Sequence, residues 1–171
     1  QHFNVTGLYN TSIGHATLMN NLYGSRNVAV GYFTLSQLIS GDGNTAVGDQ
    51  ALYNLLSNGN NVAIGRNSAQ SRTILNNCTL IGACTDVSSD NTINEIVIGY
   101  STTGSGSNSV TLGNTSITKT VLRSKVGIGT TAPSYDLDVV GTSKTSSLMV
   151  TQSKTPASSG ATGTQGEICW D

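Results

Sequence analysis

"NNVAIGRNSAQ", residues 60–70, sets an apolar alternation, Val62-Ala63-Ile64, between a pair of asparagines and a glycine. Almost the same phrase is written upstream as "GNTAVGDQAL" (43–52), "RNVAVGYFTL" (26–35) and "YNTSIGHATL" (9–18). The glycines that close these triplets are Gly14, Gly31, Gly48, Gly65, Gly82 and Gly99, each 17 residues after the one before. A seventh, Gly113, follows after 14. Five equal intervals with matched flanks do not arise by chance, and a period of this kind decides the architecture.

Alignment on the glycine exposes columns. The residue before it is Ile13, Val30, Val47, Ile64, Ile81, Ile98 or Leu112, always large and aliphatic. Three before it stand Thr11, Val28, Thr45, Val62, Thr79 and Ile96, all β-branched, with small residues such as Ala29, Ala46 and Ala63 between. This alternation predicts a short strand with two different faces. Four before the glycine come Asn10, Asn27, Asn44 and Asn61, then Cys78 and Glu95. Four after it come Leu18, Leu35, Leu52 and Ala69, and eight after it Leu22, Ile39, Leu56 and Thr73. Gly24, Gly41 and Gly59 mark a further bend.

The pattern predicts an all-β chain wound as a parallel β-solenoid of about seven coils. Each coil holds about two short strands and two turns, stacked at roughly 4.8 Å. Like then lies above like. The aliphatic column before the glycine is expected to form a continuous core, and the asparagines a ladder of amide hydrogen bonds. The repeated glycine fits a corner where φ is positive or backbones crowd. Separate hairpins of a sandwich would not keep a constant interval, because their loops vary in length. A roll this slim buries little apolar area alone, so its second face needs a partner, and another copy of the chain is the natural one.

Composition agrees. Of 171 residues only 10% are charged and 5% aromatic, whereas Gly supplies 20, Ser 22, Thr 23 and Asn 17. That mixture favours turns and short strands over helix. Disordered chains usually combine low hydrophobicity with high net charge, but here the net charge is −1 and the apolar residues are strictly placed. Eight scattered Lys and Arg give no footprint for nucleic acid or an anionic membrane. No run approaches the roughly 18 apolar residues of a membrane span. Gln1 without a Met leads us to expect that the chain begins inside a longer protein. Cys78, Cys84 and Cys169 fit no zinc spacing and are read as inert, mostly buried thiols.

The phrase N-x-V-A-I-G-x-x-S-x-A resembles the repeat of the head domain of trimeric autotransporter adhesins, and Asn60, Asn61, Val62, Ala63, Ile64, Gly65 and Ser68 carry nearly all of it. The resemblance spans residues 4–117 and implies a left-handed parallel β-roll assembled as a homotrimer. That family's interval is about 14 residues; the extra three fall between the Leu column and the next Asn, as in "LSNG" (56–59). The stretch "KVGIGTTAPSYDLDVVGTSKTSSLMV" (125–150) resembles a motif common in bacteriophage tail-fibre proteins. Pro133 ends the solenoid and "YDLDVVG" alternates as a capping strand. "TPASSGATGTQGEICWD" (155–171) looks like the start of a small terminal module of viral fibres. The expected organisation is therefore 1–117 repeats, 118–150 junction and cap, and 151–171 terminal module, with Asp171 a processed end and no intramolecular chaperone.

The residue after the corner glycine is His15, Tyr32, Asp49, Arg66, Ala83 or Tyr100. A column that varies from coil to coil is an exposed turn, and His15, Tyr32, Asp49, Arg66 and Tyr100 are the candidate receptor-facing residues. The carboxylates form no pair at a spacing suited to acid/base work, so no catalytic, metal or cofactor residue is assigned. "GDGN" (41–44) reads as a turn and not as a calcium repeat, because its Asp does not recur. "GSGSNS" (104–109) reads as a flexible turn, since no Lys or helix follows it. The column of Thr17, Thr34, Ala51, Ser68, Thr85, Thr102 and Ser116 is too interrupted for an ice-binding row, and four Asn-x-Ser/Thr sequons are a matter of composition. The reading is a structural, non-enzymatic segment of a virion tail fibre engaged in host attachment. Its partners are its own copies, other fibre proteins and a host surface glycan or protein; nucleic acid and membrane insertion are excluded. A bacterial surface adhesin head is the alternative, and a fibre-borne glycan depolymerase is disfavoured for want of paired carboxylates.

Overall fold

A computed structural model describes residues 4–142. They hold eleven short strands and no helix. The chain divides into two compact units, one reaching to Thr120 and one beginning at Val121. The expected boundary at 150 and the terminal segment lie outside the described residues.

In the first unit one strand recurs in every coil: β1 (Thr11–Ile13), β2 (Val28–Val30), β3 (Thr45–Val47), β4 (Val62–Ile64), β6 (Thr79–Ile81), β8 (Ile96–Ile98) and β9 (Val110–Leu112). They form one parallel seven-stranded sheet in that order. Thr11 stands opposite Val28, Val28 opposite Thr45 and Thr79 opposite Ile96, while Ile96 meets Val110 in the shortened last interval. The chain is a parallel β-solenoid whose seven rungs bound about six turns. The second strand expected in each coil is mostly absent. Only β5 (Leu75–Asn76) and β7 (Thr92–Ile93) pair on that side, with the isolated bridge Ser57–Ile74 before them, while a second bridge, Asp86–Thr103, lies in the turn. In the early coils loop backbone carries the ladder there: Leu22 N–H donates to the Ile39 carbonyl at 3.1 Å, and Ile39 N–H to that of Leu56 at 2.9 Å.

The core lies on the other strand face from the one expected. Ala29, Ala46, Ala63, Leu80 and Val97, the middle residues of the triplets, are fully buried. The aliphatic column before the glycine points outward: Ile13 is 60% exposed, Ile64 40% and Leu112 62%. Side chains alternate along a strand, so only one set can face the narrow interior. Alanine fits there because Leu35 and Leu52 fill the space from the turn of the same coil. Later coils place Ala69, Asp86 and Thr103 in that turn column, and the strand column swells to Leu80 and Val97. The coil of Ala63 and Ala69 has a small residue in both columns, so the exchange is not one for one. Leu18, Leu38, Ala51, Leu55, Leu75, Cys78 and Val87 complete the buried apolar set.

Both reasons foreseen for the corner glycine hold. At Gly48 φ is +132°, and an added Cβ would sit 2.6 Å from the Gly65 carbonyl oxygen one coil on. Gly24 and Gly41 share a second column, whereas Gly59 does not: its Cβ would strike the Asp42 carbonyl, so Asn58 is the residue that follows Gly41.

The turn backbone was not foreseen. Phe33, Gln50, Asn67, Cys84 and Ser101, two after the glycine, all have φ between +49° and +57°, as do Leu18, Leu35, Leu52 and Ala69, four after it, at +46° to +51°. Hydrogen bonding accounts for this. The first set sends its N–H to the previous coil, as Gln50 does to the Tyr32 carbonyl at 2.8 Å. The second sends its N–H to the next coil, as Leu52 does to Ser68 at 2.9 Å. Left-handed residues let the turn alternate its donors up and down as a strand does, so no buried amide is stranded.

The asparagine ladder is present. Asn27, Asn44, Asn61 and Cys78 each donate their backbone N–H to the side-chain oxygen of the Asn one coil earlier, at 2.9 to 3.2 Å. Side-chain amides add rungs from Asn44 to Asn27 and from Asn61 to Asn44.

The second unit pairs β10 (Val126–Ile128) with β11 (Leu137–Val139) in parallel, Val126 opposite Leu137. The alternating "YDLDVVG" supplies β11, and Lys125 Nζ donates to the Pro133 and Ser134 carbonyls across the intervening loop.

Candidate functional site

The corner after each strand carries the variable column. His15, Tyr32, Asp49, Arg66 and Tyr100 are all exposed, and Ala83 is half-buried. The fold brings only some of them together. The rings of His15 and Tyr32 stack with centroids 5.4 Å apart and planes at 22°. Phe33 and Tyr53, which sequence reasoning did not single out, extend this pair. Phe33 stands edge-on to Tyr32 at 4.4 Å and 86°, and Tyr53 edge-on to Phe33 at 5.9 Å and 71°. The signal for Phe33 was the "GYF" step, but its left-handed φ of +52° is what sets its ring beside its neighbour's. Tyr53 enters from a column four places later in the turn, and no periodicity announces it.

Beyond the rings the corner becomes polar. Asp49 follows Tyr32 one rung on, and Gln50 lies below Phe33 with its side chain bonded to Gln70. Asp49 and Arg66 form no ion pair among the described residues. Tyr100 stands apart, separated from Tyr32 by the rungs of Asp49, Arg66 and Ala83.

The remaining charged groups hold coils together. Arg72 occupies the Leu38 and Leu55 column and turns its guanidinium onto Asp86, Nε to Oδ1 and Nη2 to Oδ2, both at 2.7 Å. The hydrogen bond to Asp86 raises the Arg72 pKa further, against the burial that lowers it. Burial pushes the Asp90 carboxyl up, but the N–H groups of Thr73 and Ile74 and the Thr73 hydroxyl outweigh it and hold the pKa below the usual value. Glu95 ends the Asn column fully buried, accepting from Gly106 N–H at 2.7 Å, Ser88 N–H at 3.2 Å and Ser88 Oγ at 3.3 Å. The "GSGSNS" segment is therefore a loop closed onto a buried carboxylate and not a free turn. Gly104 has no side chain because a Cβ would overlap Glu95.

Cys78 is buried and burial pushes its thiol pKa up; Cys84 is half-buried, and the two are unpaired. Thr17, Thr34, Ser68, Thr85 and Thr102 are buried, so their row is inside the roll and offers nothing to ice. Among the described residues no group of His, Cys, Asp and Glu is arranged to hold a metal, and no helix is long and apolar enough to cross a membrane. An open recess of about 270 Å³ is lined by Asn20, Leu22, Gln37, Ile39 and Leu56, with no titratable side chain among them.

Comparison of the chain with protein-family models, curated proteins and solved structures finds no match in any of the three.

Proposed function

We propose that the chain is a rigid, non-enzymatic segment of a bacteriophage tail fibre, assembled as a parallel homotrimer and engaged in host attachment. The observation that carries this reading is the outward face of the seven-stranded sheet. Each rung presents two residues there, from Thr11 and Ile13 through Val62 and Ile64 to Val110 and Leu112, and none is charged. An uncharged stripe, aliphatic apart from Thr11, Thr45 and Thr79, along a whole sheet is a surface built to be covered. In-register copies would set each rung against its like. The number three, and a left-handed winding, come from the likeness of "NNVAIGRNSAQ" to adhesin heads.

The second unit supports the same reading. In and beside its two strands Ile128, Leu137 and Val140 are more than half exposed, too little core for a lone chain. We read it as a cap that is completed by the copies around it. Among the described residues no acid and base groups converge on a pocket, which favours a scaffold over a depolymerase.

A bacterial surface adhesin head is the second reading, favoured by the repeat phrase itself, while the "KVGIGTTAP" junction favours the virus. Immunogold labelling with an antibody against the repeat region separates them. Gold along the tail fibres of virions is the expected result, and gold on the envelope of uninfected cells selects the adhesin. Label confined to the cytoplasm contradicts both.

A further inference from the structure

The geometry points to the aromatic corner of the first coils as a saccharide-binding platform, with a pyranose ring as the occupant. The chain has six Tyr, two Phe and one Trp, and three of these meet beside His15 on one corner. At this corner Phe33 and Tyr53 are half-buried and Tyr32 exposed, and their clustering is not required to fill the core. Tyr32 is 49% exposed, and no aromatic residue is among those that fill the lumen.

The chemistry of the corner selects the ligand class. The face of an aromatic ring is electron-rich and attracts the weakly positive C–H groups that line one face of a pyranose. The sugar's hydroxyls then need partners at the rim. Asp49 lies about 4.8 Å, one rung, beyond Tyr32, and the Gln50 amide stands below Phe33. An extended peptide is disfavoured because it docks by adding to free backbone groups. Here those groups are consumed: Phe33 N–H donates to the His15 carbonyl at 2.9 Å, and Gln50 N–H to that of Tyr32 at 2.8 Å. A polyanion is disfavoured by Asp49 and by the net charge of −1. The site also lies on the corner and not on the sheet face, so covering that face leaves it open.

This inference rests on the attachment reading in one respect: single platforms bind weakly, and three copies on one fibre supply the multiplicity that makes attachment durable.

The test is an array of neutral and amino-sugar oligosaccharides probed with the full chain and three variants, each checked by its circular dichroism melt. Tyr32→Ala is expected to lose at least about tenfold in apparent affinity. Tyr32→Phe, which keeps the ring, should stay within about threefold, and Tyr100→Ala, in the same column but outside the cluster, should match the unaltered chain. A blank array, equal binding by Tyr32→Ala, or equal loss in Tyr100→Ala overturns the proposal. So does binding to an immobilised peptide library with none to sugars. None of these results would touch the assembly of the fibre, which the mass of the particle and the gold label decide separately.

Discussion

At the scale of the residue, position 63 and position 64 separate the two faces of one strand. Ala63→Asp puts an unpaired charge into a filled lumen and should destabilise the coil by about 3–5 kcal/mol, read as loss of the folded circular dichroism signal at ambient temperature. Ile64→Asp puts the same charge outside, so each coil should survive while assembly fails. Arg66→Ala, on the variable corner, should change stability by less than about 0.5 kcal/mol. The sequence showed that two faces existed. Side-chain size points to Ile64 as the buried face, but the smaller Ala63 is inside, because Leu35 and Leu52 enter the same lumen from the turns. The legible clue was that Ala29, Ala46 and Ala63 share their column with Leu80 and Val97, so that column is apolar from the second coil to the sixth.

Glu95 makes a second argument at this scale. It stands where Asn would, but a carboxylate cannot donate to the next rung and instead accepts from three donors of neighbouring loops. Glu95→Ala would orphan those donors and should cost about 2–4 kcal/mol, measured from the denaturant midpoint. Its column was visible in the sequence, whereas its partners, Ser88 and Gly106, come from different loops and were not.

At the scale of the element, the strands are only three residues long, so each is held by its neighbours above and below. The Asn column contributes in the same direction. Asn44 accepts from the backbone and side chain of Asn61 and donates to Asn27 and to the Asn58 carbonyl. Asn44→Ala breaks the ladder in its middle and should cost about 2–3 kcal/mol. A thermal melt unchanged from the native chain would show that the ladder contributes nothing. The turns carry the part of the fold least legible beforehand. Left-handed residues are announced by Gly or Asn at positions such as Gly43, Asn60 and Asn77, but Leu35, Phe33 and Gln50 adopt the same φ with no such signal. The coil-to-coil hydrogen bonds impose it. Ser101, exposed and at φ +49°, offers a clean case: Ser101→Gly should be neutral or stabilising by up to about 1 kcal/mol, and Ser101→Val destabilising. Equal midpoints for the two would show that the strain is absent.

At the scale of the whole molecule, the chain divides its surface by chemistry. The sheet face is uncharged and mostly aliphatic, the corner after the glycine is variable and in its first coils aromatic, and in the repeat unit Arg72, Asp86, Asp90 and Glu95 bond between coils. The period of 17 made the solenoid legible, and the slimness of the coil made a partner expected. The aromatic corner was half legible: the His15 and Tyr32 column was visible in the sequence, and only the fold adds Phe33 and Tyr53 to it. The account stands on the sheet face being an interface between copies. Light scattering coupled to size exclusion tests this directly. At micromolar concentration the particle should have three times the 17.6 kDa mass of the chain, and Ile64→Asp should abolish it. A folded native chain that travels at a single chain's mass would contradict the account.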